Sequence, residues 1–222
     1  MRAALALARL QPSIFSGGCT DCPRLSHFLS QVRVKYPDYF AKPVPPFGDT
    51  APRLLIVGLA PGMHGANRTG RPFTGDYAGI LLYDTLHRFG FSNQATSEHA
   101  ADGLALIGCR ITNAVKCLPP ENKPENSEIK ICNKYLSNEL KVLDKGISIL
   151  ALGLVAHKAV LMALGLKQGD YKFSHAAEHR LPNGLTLFDS YHCSRYNTQT
   201  RRLTPDMFHA VFERIRHHLE GE

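Results

Sequence analysis

Four short apolar runs punctuate the chain, each closed by turn-forming residues. RLLIVGLAP (53–61), LIGCRITNAV (106–115), GISILALG (146–153) and LTLFDSYH (185–192) are too short for helices and rich in β-branched residues. Such runs read as strands buried on both faces. Between and after them the apolar period changes to that of a helix. AGILLYDTLHRFGF (78–91) has helical spacing and stops at Gly90. Residues 124–144 place Ile129, Cys132, Leu136, Leu140 and Leu143 on roughly one face. LVAHKAVLMALGL (154–166) is closed by Gly165, and TPDMFHAVFERIRHHLE (204–220) opens with Thr204 as cap and Pro205 at the first position. Strands alternating with helices predict an α/β fold: three α/β/α layers around a central, mostly parallel four-stranded sheet.

Composition narrows the class. The 222 residues suit a single domain, and 44% are apolar. Residues 37–52 are proline-rich and read as a loop within that domain. The opening MRAALALARL has a weak flavour of a targeting peptide, but Arg9 breaks its apolar stretch, so it reads as an ordinary N-terminal helix. No apolar run reaches the roughly 18–20 residues that cross a bilayer, and nothing else suggests secretion, so the expected location is the cell interior.

Lys and Arg number 26 against 19 acids, a formal charge of +7. Acids are scarcest in 1–37 and 190–203. A solvated basic surface explains the total; a polyanion such as nucleic acid explains the localised excess better.

Six cysteines are unusual for an intracellular chain that needs no disulfides. Cys19-x2-Cys22 can point two thiolates at one centre, and Cys117 and Cys132 can supply a second pair. Zinc and an iron–sulfur cluster both accept four thiolates. The fourteen residues between Cys117 and Cys132 are too loose for a zinc ribbon, which wants a second CxxC. Cys109, within an apolar run, reads as a core residue, and Cys193 is left over.

In doubly wound sheets, ligands gather at the carboxyl ends of strands. Three of the expected strand ends carry unusual residues. GLAPGMHGANRTGRPFTGD (58–76) holds five glycines, which permit close backbone approach to a ligand. ITNAVKC (111–117) presents Asn113, and HCSRYN (192–197) presents His192 just beyond a strand. The glycine loop is neither GxGxxG nor a Walker loop. Each feature also has a plain reading: Phe73 as a core aromatic, Asp76 as the cap of the following helix, Asn113 as a partner for backbone groups, His192 as a packed histidine.

Taken together, these stretches resemble the iron–sulfur uracil-DNA glycosylases, family 5 (type b) of the uracil-DNA glycosylase superfamily, over roughly residues 19–205. GLAPG (58–62) is similar to motif A, NRTGRPFTGD (67–76) to its branch-specific continuation, TNAVKCLPP (112–120) to the asparagine-and-cluster segment, and HCSRYNTQTRRLT (192–204) to motif B. The resemblance implies a monomeric enzyme of base excision repair that turns uracil out of DNA and hydrolyses its glycosidic bond. Hypoxanthine and xanthine are implied as further substrates. It implies a [4Fe-4S] cluster on Cys19, Cys22, Cys117 and Cys132, with a structural role. Phe73 would stack on the base, Asn113 would bond its Watson–Crick edge, and Gly58, Leu59 and Ala60 would present backbone to it. His192 would steady charge on the departing base, Asp76 would help activate or place water, and Tyr196 would wedge into the vacated stack. Two departures stand out. Leu59 and Ala60 occupy positions where many relatives carry a polar, water-orienting residue, and Cys193 replaces the usual proline of motif B. A non-catalytic, metal-stabilised nucleic-acid-binding module is the competing expectation.

Overall fold

The computed structural model describes residues 15–221, so the helix expected within the first ten residues lies outside the described residues. Its frame is one six-stranded sheet. Strands β1 (Phe47–Gly48), β2 (Leu54–Gly58), β3 (Cys109–Asn113), β4 (Ser148–Leu152), β5 (Glu178–Arg180) and β6 (Thr186–Ser190) lie in the order β1-β3-β2-β4-β6-β5. The middle four pair in parallel, and the two short edge strands pair antiparallel.

The four expected strands are this parallel core. All five residues of β2, β4 and β6 are buried, which accounts for their unbroken apolar runs. The expected count of four is corrected to six. Phe47–Gly48 sits in the stretch read as loop, and Glu178–Arg180 has no apolar alternation. Strands of two and three residues are too short to print a period on the sequence.

Successive residues of β2 feed opposite faces. Leu55 and Val57 join one core with Leu25 and Leu29 of helix α1 (Pro23–Lys35). Leu136 of α4 (Asn126–Lys141) and Val160 of α5 (Leu154–Ala163) complete that layer. Leu54 and Ile56 join the other core with Leu82 and Leu86 of α3 (Tyr77–Arg88) and Phe208 and Phe212 of α7 (Pro205–Glu220). The two cores on either side of one sheet give the three layers. Short helices α2 (Ala66–Thr69) and α6 (Arg195–Gln199) lie inside the glycine-rich and 192–204 stretches.

Local chemistry sets the helix ends. Thr204 caps α7, accepting from the Met207 amide at 3.2 Å, with Pro205 following it. The α4 helix opens on a capping box, Glu125 and Glu128 exchanging side-chain and backbone bonds, so it begins after Pro124. Cys109 is fully buried in β3, a core residue as its apolar neighbours suggest.

Candidate active site

The carboxyl ends of all four parallel strands open onto one cavity of about 490 Å³. That volume is within the usual range for small-molecule sites. Leu59, Ala60 and Gly62 reach it from β2, Asn113 from β3, Leu152 and Gly153 from β4, and His192 and Ser194 from beyond β6. Phe73 and Asp76 enter from the loop before α3.

The close fit begins at Gly58. It pairs with Asn113 across the β2–β3 ladder. A Cβ at Gly58 would stand 2.3 Å from Asn113 Oδ1 and 2.7 Å from Phe73 Cζ, so only glycine lets both side chains crowd here. Gly58 therefore lies a layer behind the cavity wall, not on it, and acts by the side chain it lacks.

Phe73 is 6% exposed and has φ +55°, the left-handed region that a non-glycine residue occupies at a cost. Its ring lies 5.8 Å from the His192 ring with 28° between planes. His192 is half-buried and lines the cavity. Burial pushes its imidazole down to about 4, so it is neutral at physiological pH.

Two polar atoms in this wall are orphans. Asn113 Oδ1 and His192 Nδ1 are buried, and among the described residues neither finds a hydrogen-bond partner. Buried polar atoms are ordinarily bonded. The plain readings, Asn113 serving the backbone and His192 as a satisfied core histidine, leave these atoms unexplained. Both residues line the cavity, so a side-chain rotation would turn these atoms toward a ligand there.

Asp76 has its expected capping role and also borders the cavity. It is the N-cap of α3, its Oδ1 accepting from the Gly79 amide at 2.9 Å. Burial raises its carboxyl above the usual range, partly opposed by the amides of Gly79 and Ala78. Its Oδ2 is on the side of Gly62, 3.7 Å from where that residue's Cβ would be.

Tyr196 is apart from this group. It sits on α6, 71% exposed, and does not line the cavity. Arg195 beside it holds its guanidinium 5.6 Å from the ring centre of Tyr77, which does line it.

The four cysteines meet some distance along the fold. Cys19 and Cys22 precede α1, Cys117 follows β3 and Cys132 is on α4, and all four line one small pocket with Tyr135 and Pro43. None forms a disulfide. Burial and then repulsion from the other cysteines push Cys117 up to about 12, and burial followed by Cys132 pushes Cys22 up to about 11. The Lys116 amide donates to Cys132 Sγ at 3.3 Å.

The family model described as the Uracil DNA glycosylase superfamily matches residues 45–216. The chain belongs to this superfamily. Its similarity to a Type-5 uracil-DNA glycosylase of Thermus thermophilus is 45% identity over 86% of this chain and 89% of that protein. A Type-5 uracil-DNA glycosylase of Mycobacterium leprae is 43% identical over 87% and 88%. One from Pyrobaculum aerophilum is 38% identical over 88% and 87%.

In this superfamily member the sequence reading missed one wall of the cavity. Leu152, Gly153, Leu154 and Val155 line it from the end of β4 and the start of α5, and Asn122 from the loop after Cys117. The strand-end rule alone could have found the β4 segment, but its residues are apolar and look like core. Among the described residues, the set of donors within 4.8 Å of one another is His157, His179 and Asp189. These already bond one another: His157 Nδ1 faces Asp189 Oδ1 at 2.8 Å and His157 Nε2 faces the Tyr171 carbonyl at 3.0 Å.

Proposed function

We propose that the cavity receives a uracil turned out of DNA and that Asp76 and His192 act on its glycosidic bond. The reaction class follows the family: a DNA glycosylase that removes uracil in base excision repair. The orphaned pair Asn113 Oδ1 and His192 Nδ1, on residues that line the cavity beside the Phe73 ring, carries the residue assignments.

Uracil presents an N3–H donor beside an O4 acceptor. The carboxamide of Asn113 offers the complement, Oδ1 to N3–H and Nδ2 to O4. Phe73 supplies a flat apolar face, and base–aromatic stacking contributes about 1–3 kcal/mol. A base inside a duplex cannot reach these groups, so it must leave the stack. The exposed Tyr196, two residues beyond the cavity-lining Ser194, fills the gap.

As the C1′–N1 bond breaks, its electron pair passes to the base and spreads onto O2. His192 is neutral, so it meets that oxygen as an N–H donor without giving up its proton. Leu59 and Ala60 also line the cavity, and their amides would add to this donor. Donors placed where charge develops contribute several kcal/mol to such steps. Asp76 Oδ2 holds the water whose oxygen bonds to C1′, and the carboxylate takes the proton that water releases. Its first oxygen stays engaged by the α3 amides. Leu59 and Ala60 carry no polar side chain for that task, so the carboxylate is the group left to do it.

Four free thiols in one pocket fit a metal centre that neutralises them, since burial and mutual repulsion disfavour thiolates there otherwise. A single zinc ion with Zn–S bonds near 2.3 Å holds its sulfurs about 3.8 Å apart. The tight donor set among the described residues is the His157 group, not these sulfurs, which favours a larger centre, the [4Fe-4S] cluster. Cys19, Cys22, Cys117 and Cys132 would hold it, tying the segment before α1 to β3 and α4. Its contribution is cross-linking, and no catalytic step passes through it.

A lightly polar cavity discriminates weakly among bases, so hypoxanthine and xanthine fall within its range. The enzyme works as a monomer. A duplex carrying one uracil, incubated with the protein and then with alkali, tests the assignment. Strand scission that disappears in Asp76→Ala and His192→Ala is expected. A non-catalytic nucleic-acid-binding module would leave the strand whole, as would an enzyme that does not act on uracil.

A further inference from the structure

We propose that Arg71, Thr74 and Asp102 are positioning residues that force Phe73 into its base-facing pose, although none of the three lines the cavity. The inference rests on the reading of Phe73 as the stacking surface.

Phe73 holds a left-handed backbone conformation, which a bulky residue leaves unless its surroundings over-determine it. The residues on either side of it are all tied down. Arg71 is only 4% exposed, and its guanidinium is the hub. Its Nε donates to Thr74 Oγ1 at 2.8 Å, reaching over Phe73 itself. Its Nη2 donates to Ser97 Oγ at 2.8 Å and to Asp102 Oδ2 at 2.6 Å. The flat face lies 5.0 Å from the ring centre of Phe47.

Thr74 closes the loop from the other side. Its hydroxyl lies 2.6 Å from Ser97 Oγ, and the next residue, Gly75, donates its amide to the Ser97 carbonyl at 3.1 Å. Tyr83 of α3 holds the Pro72 carbonyl at 2.7 Å. Gly79 offers no Cβ, and one there would overlap the Phe73 carbonyl at 1.8 Å.

The other half of the clamp is the segment between α3 and β3. Asp102 is kept in place by the amides of Glu98 at 2.9 Å and His99 at 3.3 Å on Oδ2, and of Leu104 at 3.0 Å on Oδ1. Neither Ser97 nor Asp102 lines the cavity. The polar side chains of Arg71 and Thr74 are thus engaged within the clamp, while the Phe73 ring lines the cavity. Buried ionic networks are weak sources of stability, but they can fix one conformation among several. Here the conformation fixed is that of Phe73, whose ring lies against His192.

Thr74→Val keeps the shape and deletes the hydroxyl, Thr74→Ser restores it, and Asp102→Asn removes the charge from the far end. Single-turnover release of uracil from an oligonucleotide should fall roughly tenfold to a hundredfold in Thr74→Val and Asp102→Asn, the scale set by an ångström of misplacement. Thr74→Ser should stay within about threefold of the parent. In a Phe73→Ala background, Thr74→Val should cost nothing more, because no ring remains to place. An equal further loss in that background overturns the inference, as does full activity in both hydroxyl- and charge-deleted variants. Aromatic carbon NMR of labelled phenylalanine, with Phe73 assigned through Phe73→Ala, reads the ring without any reaction. Its resonances should shift in Thr74→Val and return in Thr74→Ser. Unmoved resonances overturn the inference even in an active enzyme, whereas a parent protein that releases no uracil but shows the shift overturns only the reading of the cavity.

Discussion

Gly58→Ala isolates the geometry of the base-reading wall with one methyl group. Gly58 ends β2 opposite Asn113, and the added Cβ would stand 2.3 Å from Asn113 Oδ1 and 2.7 Å from Phe73 Cζ. Ordinary contacts begin at 3.4 Å, so the overlaps are 3.4 − 2.3 = 1.1 Å and 3.4 − 2.7 = 0.7 Å. The backbone is not the obstacle. Gly58 carries no positive φ, and its carbonyl bond from the Ala114 amide at 2.9 Å is unaffected. Asn113 and Phe73 both border empty space, so they give way toward the cavity and the sheet survives. Overpacking of this kind costs about 1–3 kcal/mol of stability. Displacing the two groups by about 1 Å costs catalysis on the order of a hundredfold, equivalent to about 2.7 kcal/mol in transition-state free energy. The loss should show in kcat/KM for a uracil-containing oligonucleotide, with a cooperative thermal melt retained. Gly62→Ala is the control. It also borders the cavity, but its Cβ meets only Asp76 Oδ2 at 3.7 Å, and activity should stay within about threefold. A Gly58→Ala enzyme with parental kcat/KM would refute the claim that Asn113 and Phe73 are held where they act.

Gly65→Ala probes the other group. Its Cβ would fall 2.5 Å from both Cβ and Oδ2 of Asp76, so kcat should drop while KM for the oligonucleotide holds; a KM effect alone would count against Asp76 as the water-holding group. The pH profile follows from two opposite shifts. Asp76 must be ionised and its carboxyl is raised by burial, while His192 must be neutral and titrates only near 4. Excision should therefore fall on the acid side as Asp76 is protonated, at a pH above the ordinary carboxylate value of 3.8. A rate that climbs as pH drops through 6.5 would mean that His192 acts as an imidazolium. Cys22→Ala should yield protein depleted of iron by elemental analysis, with a melting temperature lower by several degrees; parent protein free of iron, yet equally stable, would remove the cluster from the account.

The parallel core was legible because burial on both faces leaves no polar alternation, and LLIVG or SILAL can hardly be anything else. The edges were not, since Phe47–Gly48 and Glu178–Arg180 owe their form to neighbours far along the chain. The same division runs through the cavity. Asn113 and His192 are polar residues at the ends of apolar strands and announce themselves. Leu152 to Val155 do the quieter work of shaping the slot and look like any buried segment. The four cysteines are legible as a set from the CxxC and the pair that complements it, but at the level of sequence the choice of an iron–sulfur cluster over zinc rests on family likeness alone. Ser97 and Asp102 were invisible for a further reason. Their loop has no apolar period, and their partner is an arginine that composition counts as surface charge.

Asp76 explains why two readings of one residue need not compete. A carboxylate placed at a helix start gains the amides of Gly79 and Ala78, which oppose the effect of burial on its charge. Without them, a half-buried carboxylate beside an apolar slot would take up a proton and could not accept one from water. The bond to Gly79 also occupies Oδ1 and fixes the rotamer, leaving Oδ2 on the Gly62 and Gly65 side. Capping thus supports the proposed catalytic role rather than competing with it. The glycines of the 58–76 stretch complete the arrangement: the room that Oδ2 needs is room that a side chain at Gly65 would take.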